Sequence, residues 1–302
     1  MPRSARLYLA MAAGILCIST AAPLIKACSD APPAVIAAAR LGIASCLLIP
    51  IAAFFKGRQL YAAPAGSWKY VLLAGIFLSA HFLSWITSLK HTSVVSSVVI
   101  VTTNPIFVGV ASYFLFRERM HRGLIMGIVL AVLGGLLIAL SDMGKGAHPA
   151  SLYGDFMALC GAAMASSYWL AGRKLRRRMD ALTYVTGVYA VAAVILVGVA
   201  LAEDHSFLGY RPRTYLCFVA LAVIPQLLGN TTFNWALRHV SATTVAVFIL
   251  GEPIGAGILA YLFLQESVSL LQTLGSGLIL FGIVTAVRGS AGTAQSIESE
   301  SP

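Results

Sequence analysis

One stretch of this chain is written twice. Residues 89–118 read LKHTSVVSSVVIVTTNPIFVGVASYFLFRE, and residues 237–266 read LRHVSATTVAVFILGEPIGAGILAYLFLQE. Nine positions are identical without a gap at a separation of 148 residues, among them Leu89/Leu237, His91/His239, Ser93/Ser241, Pro105/Pro253, Gly109/Gly257, Tyr113/Tyr261 and Glu118/Glu266. That separation is close to half of the 302 residues. The fold must therefore be one that two copies of a single half can build together.

Apolar runs recur throughout both copies. Ten are visible, at roughly 7–25, 33–55, 69–89, 93–116, 123–141, 152–172, 181–201, 214–236, 240–263 and 269–287. A run of about 20 residues crosses a hydrocarbon core of ~30 Å at ~1.5 Å per residue. Only 11% of the chain is charged and 59% is hydrophobic, against roughly 25% charged in a soluble domain, so it lacks the charge to cover a globular surface. The expected fold is an all-α membrane protein of ten transmembrane helices, arranged as two five-helix repeats over 1–145 and 146–289. Connections are too short for a separate soluble domain. Residues 290–302, rich in Ser, Gly and Glu, show no apolar periodicity and read as a disordered tail.

Five is an odd number, so the second repeat enters the membrane from the side opposite to the first. Such inverted repeats recur in secondary transporters, because two equivalent halves can form inward-open and outward-open states of similar energy. The charge distribution sets the orientation. With a cytoplasmic N-terminus, fifteen Lys and Arg fall on the inner side and five, Lys26, Lys90, Lys145, Arg211 and Arg213, on the outer side, leaving Arg40 within a span. This bias obeys the positive-inside rule and places both termini in the cytoplasm, in a multi-pass inner (plasma) membrane protein. The net charge of +10 thus reads as topology and contact with anionic lipid, including the run Arg173–Arg178, and not as a nucleic-acid site. The opening MPRSAR and apolar stretch also resemble a secretory signal peptide. Cleavage would leave the first repeat one helix short, so the duplication favours an uncleaved first span. Cys17, Cys28, Cys46, Cys160 and Cys217 have no metal spacing and read as small buried hydrophobes.

A helix ending LKHTS, a following helix with a mid-membrane Pro, a terminal RE or QE and then a Gly-rich helix resemble the EamA-type family of the drug/metabolite transporter superfamily. The resemblance covers both halves, to about Arg288. It implies a ten-helix exporter of amino acids or related small metabolites, and the aromatic content is similar to that of the YddG-like aromatic amino acid exporters. The second copy departs from the first in carrying Glu252 where the first has Asn104.

Polar groups within spans are costly and usually face a bundle interior or an aqueous path. Of eleven acidic residues only Glu252 falls near the centre of a span, and of the histidines only His81 is intramembrane. Glu252, just before Pro253, reads as a proton-coupling carboxylate, as a counter-charge for a substrate ammonium, or as a structural acceptor where the proline interrupts the helix. Asn104 and Pro105 mark the matching interruption in the first half. Arg40 could pair with Glu252, reach outward or bind a carboxylate. His81, Ser84, Trp85 and Ser88 share one helical face, which suits an amphipathic or aromatic solute or, equally, an interhelical polar contact. Gln226, Asn230 and Asn234 form a second stripe beside Phe233, the counterpart of Trp85, and Tyr168 and Trp169 extend the wall. Trp68 and Trp235, near span ends, read as interfacial anchors. Gly123, Gly127, Ala131 and Gly135, with Gly275 repeating the Gly127 position and Gly282 matching Gly134, read as close-packing small residues with a scaffold or dimer role.

No HExxH motif, intramembrane Asp pair or Walker A sequence is present, which argues against an intramembrane enzyme and against ATP-driven pumping by this chain. No cofactor is implied. The alternatives to amino acid export are transport of cationic drugs or sugar derivatives, a channel, or a non-transporting membrane adaptor. The inverted repeat makes a monomer sufficient, with a homodimer possible.

Overall fold

The computed structural model describes residues 3–57, 67–116, 122–144, 149–175, 179–236, 249 and 251–299. Among them every regular element is helical. Helices α1 (Arg3–Ser19) and α2 (Ala21–Ala27) form the first span, α3 (Pro33–Lys56) the second and α4 (Ser67–His91) the third. The fourth is divided into α5 (Val94–Val101) and α6 (Asn104–Phe116). Helices α7 (Arg122–Gly144), α8 (Pro149–Leu175) and α9 (Ala181–Ala202) are the fifth to seventh. The eighth runs through α10 (Pro212–Leu221), a π-helix (Ala222–Asn230) and α11 (Thr231–Ala236). Helix α12 (Gly251–Leu264) belongs to the ninth and α13 (Leu270–Ser299) is the tenth.

Six of these passes are long and apolar enough to cross a bilayer, and Ile125–Ile138, Gly251–Leu264 and Leu270–Thr285 are shorter apolar helices. Large apolar side chains such as Phe54, Phe114, Val194 and Phe263 are exposed on the outer surface, as expected where lipid and not water is the neighbour. Trp68 and Trp235 are exposed too. Helix α13 continues to Ser299, through residues whose composition predicts a disordered tail; a helix already nucleated by a long apolar segment propagates cheaply, one hydrogen bond per added residue.

Three irregularities have one cause. A proline has no N–H for the carbonyl four residues earlier. Pro23 leaves that of Ser19, where α1 ends; Pro105 leaves that of Val101, where α5 ends; Pro225 leaves that of Leu221, where α10 gives way to the π-helix. At the first two breaks Thr side chains bond back to the preceding turn: Thr20 donates to the Cys17 carbonyl at 2.7 Å, and Thr102 and Thr103 donate to those of Val99 and Ile100 at 2.8 and 2.7 Å. Pro50, near the end of α3, leaves its helix unbroken. An interruption of the ninth span is expected at Glu252 and Pro253; residues 237–248 and 250 lie outside those described, and Glu252 and Pro253 lie in the first turn of α12.

The packing repeats itself when each span is exchanged for the one five later. The third packs on the sixth, and the first on the eighth; the second packs on the seventh and the fifth on the tenth, each against its own counterpart. Glycines make the α7–α13 crossing possible. A Cβ on Gly134 would lie 2.5 Å from the Gly275 carbonyl oxygen, and one on Gly275 2.6 Å from that of Gly134. Shifted by 148 residues this contact becomes Gly282 against Gly127, and a Cβ on Gly282 would indeed lie 2.9 Å from the Gly127 carbonyl oxygen. Of the stripe read from the sequence, Gly127 and Ala131 lie at the crossing and Gly135 meets nothing within 4 Å; Gly134, the match of Gly282, takes its place. Small residues were expected in a scaffold or dimer role; Gly127, Gly134, Gly275 and Gly282 are consumed inside the chain.

One end of the bundle is tied across the halves. Lys26 pairs with Glu266 at 2.8 Å, and the other carboxylate oxygen of Glu266 accepts the Val94 N–H at the start of α5 at 2.9 Å. Gln272 Nε2 donates to Ser93 and Ser96 at 3.3 and 3.2 Å. At the same end Asp30 accepts from the Thr214 hydroxyl at 2.6 Å and the Arg211 N–H at 3.0 Å. These bonds hold its carboxyl below the usual range, Thr214 contributing most. At the other end Lys56 approaches Asp180 at 3.4 Å.

Candidate functional site

The breaks and the glycine crossings leave a cavity of about 120 Å³ between the halves. Its wall includes Arg40, His81, Trp85, Asn104, Tyr168, Trp169, Asn230, Phe233, Asn234 and Glu252, all singled out in the sequence. Ser84 and Pro253 do not line it; Pro253 is buried within α12. Pro105 starts α6 beside Asn104, and its side chain lies outside the described set. Ser88, on the His81 face, turns instead to Ser97, donating at 2.7 Å across the α4–α5 contact.

Trp85 and Phe233 occupy matching places, each facing a glycine. A Cβ on Gly161 of α8 would stand 3.5 Å from the Trp85 Cβ, an ordinary contact, and one on Gly14 of α1 would stand 3.2 Å from the Phe233 ring, a tighter one. The serine contacts repeat as well. The Ser166 hydroxyl donates to the Asn104 carbonyl at 2.9 Å and that of Ser19 to the Glu252 carbonyl at 3.4 Å. Both pairs, Gly14/Gly161 and Ser19/Ser166, are separated by 147 residues and not 148, so the first helix of each repeat carries a one-residue shift that an ungapped comparison misses.

Arg40 is 2% exposed, so it does not reach outward. Its Nε donates to Gln226 Oε1 at 2.8 Å, and its guanidinium carbon sits 4.3 Å from the centre of the Phe82 ring and 5.8 Å from that of Trp85. Arg40 Nη1 and Trp85 Nε1 are both buried with no hydrogen-bond partner. Arg40 and Glu252 share the cavity, but among the described residues no ion pair joins them. His81 Nδ1 lies 2.9 Å from the Gly161 carbonyl. A carbonyl can only accept, so Nδ1 carries the proton and Nε2 is the acceptor of the neutral ring. The imidazole stacks on Trp85, with centroids 6.0 Å apart and planes at 10°.

Gln226 and Asn230 lie in the π-helix, not on the regular α-helical stripe expected from their spacing. Asn230 Nδ2 reaches Gln226 Oε1 at 3.4 Å, and Asn234 Nδ2 donates to the Asn230 carbonyl at 3.0 Å. Such π turns often mark functional sites. Tyr189, fully buried on α9 and part of the wall, was missed. The duplication held a signal: residue 40 repeats as Val188, and because α3 crosses its own counterpart α9, residues near equivalent positions meet. The whole lining offers unpaired donors, one carboxylate, amides and aromatic faces, which can hold a small polar solute with an apolar part. Among the described residues no cluster of His, Cys, Asp or Glu is suited to a metal ion.

The sequence profile of the EamA-like transporter family matches residues 5–140 and again 152–288. Curated relatives include the uncharacterized transporter YyaM of Bacillus subtilis, 22% identical over 84% of each chain. An uncharacterized transporter of Archaeoglobus fulgidus is 26% identical over 85% of this chain and 89% of its own. A solved crystal structure aligns with a TM-score of 0.66 at 20% identity, covering 98% of this chain and 99% of the other, a likeness that shows the fold alone.

Proposed function

Since the chain belongs to the EamA-like transporter family and is a multi-pass membrane protein, we propose that it exports amino acids, aromatic or other hydrophobic ones, or related small metabolites across the inner membrane. The observation that carries this reading is the cavity at the meeting of the halves, with Arg40 and Glu252 in one wall lined by Trp85, Trp169, Tyr168 and Phe233. Opposite charges suit a zwitterion and the rings suit its side chain. At about 120 Å³ the cavity is smaller than the roughly 300–1,000 Å³ typical of drug-sized ligands, so larger solutes need the halves to part. Alternating access by rocking of those halves supplies that movement. In this reading both termini are cytoplasmic and a monomer is the transporting unit.

The test is flux of labelled L-phenylalanine and L-leucine in liposomes containing the purified protein, with and without an imposed pH gradient. Saturable flux, with a gradient response that Glu252→Gln removes, is the expected result. Flux proportional to concentration throughout would indicate a channel, and none above empty liposomes would overturn amino acid transport.

A further inference from the structure

The cavity wall holds one guanidinium, that of Arg40 beside Trp85, and one carboxyl group, that of Glu252 on α12. Arg40 is not a spent structural cation. Only Nε is engaged by Gln226, the ring faces of Phe82 and Trp85 lie against the guanidinium, and Nη1 is left without a partner. A second orphaned donor, Trp85 Nε1, belongs to the ring next to it. A buried donor without an acceptor carries the full desolvation cost of that group, more for a charged one. Two such donors on neighbouring side chains of one cavity call for an acceptor with more than one oxygen.

We propose that Arg40 Nη1 and Trp85 Nε1 form a carboxylate subsite, so that the solute lies with its carboxylate toward α3 and α4 and any amine toward Glu252. This rests on the transport reading for its setting, and it adds which end of the solute is recognised and by which atoms. Guanidinium and indole N–H groups are both pure donors. The subsite therefore accepts a carboxylate and rejects an amine, a discrimination that apolar walls could not supply. His81, stacked on Trp85, fixes the indole plane and is a positioning residue.

Calorimetric titration of the full-length protein in detergent tests this with three probes of similar bulk: L-leucine, 4-methylpentanoate, which lacks the amine, and 3-methylbutylamine, which lacks the carboxylate. L-leucine and 4-methylpentanoate should bind, and 3-methylbutylamine, which can meet only Glu252, should bind more weakly than either. Trp85→Phe, which keeps an aromatic ring but loses the N–H, and Arg40→Gln should each weaken 4-methylpentanoate about 10-fold or more, the scale of a lost hydrogen bond to a charged group. Glu252→Gln should abolish the preference for L-leucine over 4-methylpentanoate. Trp85→Phe can be read even where Arg40→Gln does not fold. Equal binding of the amine, unchanged 4-methylpentanoate affinity in Trp85→Phe, or no carboxylate binding to the unaltered protein would each overturn the subsite. Carboxylate binding without liposome flux would retain it and sink the transport reading instead.

Discussion

In the first half, α4 brings His81 and Trp85 to the cavity; in the second, the matching stretch brings Phe233 alone of that pair, because Gly229, at the place of His81, packs against Ile18. Arg40 corresponds to Val188 and Glu252 to Asn104. In the contacts that hold helix against helix the halves agree much better: the glycines of the α7–α13 crossing recur at 148 residues, and Gly14/Gly161 and Ser19/Ser166, behind the cavity wall, at 147. Backbones that touch impose the same steric demand in both copies. In the transport reading proposed above, a solute held between the halves is not itself symmetric, so the residues that would meet it are under no such demand.

The sharpest way to break this comparison is at the crossing. Gly134→Val and Gly275→Val should each cost about 3 kcal/mol or more through forced overpacking, seen as loss of monodisperse protein on size-exclusion chromatography. Gly135→Val, with open space around it, should elute as the unaltered protein does. Unequal losses for Gly134 and Gly275 would mean that the crossing is not shared evenly.

A smaller effect separates the two rings. Trp85→Ala should lower liposome flux about 10-fold, the loss of one well-placed contact, with the protein still reaching the membrane. Phe233→Ala should lower it less, because Phe233 packs in its own cluster with Leu7, Met11 and Ile18 and carries no N–H. Equal flux in both variants would remove the asymmetry from the rings.

At the tied end, Glu266→Gln removes a half-exposed ion pair to Lys26 while leaving an acceptor for the Val94 N–H, and should cost about 1 kcal/mol in thermal denaturation. No change in melting temperature would mean that the tie does not hold the halves. The smallest effect lies at the opposite end. Burial would raise the Asp180 carboxyl, but bonds from the Thr183 hydroxyl and N–H and from Lys56 outweigh it and hold it below its usual value. Its contribution is therefore present above the unfolded value of about 3.9 and is lost as pH falls through the lower folded one. Asp180→Asn keeps the cap on α9 and should flatten the stability curve below about pH 4. An unaltered curve would assign the acid sensitivity elsewhere, to Asp30 for instance, whose shift has the same sign.

The spans and the duplication were legible because a bilayer demands long apolar runs and a repeat is its own evidence. What escaped the sequence was rotation and register. One residue turns a helix by about 100°, enough to put Gly135 off the crossing that Gly127 and Gly134 make and to leave Ser84 off the cavity wall. The π-helix was hidden because Pro225 announces a lost hydrogen bond but not how the chain recovers it. The Arg40–Gln226 bond joins residues 186 apart, a pairing that only the packing of α3 against the eighth span brings about.

The glycine crossing also bears on ancestry. Gly134 meets Gly275, and the same contact read from the other copy is Gly282 meeting Gly127, so the surface is self-complementary in the manner of a two-fold dimer. A single ancestral half, placed beside a copy of itself in the opposite orientation, would satisfy both contacts at once. Joining two genes end to end would then have required no new interface, only a linker between partners that already fitted.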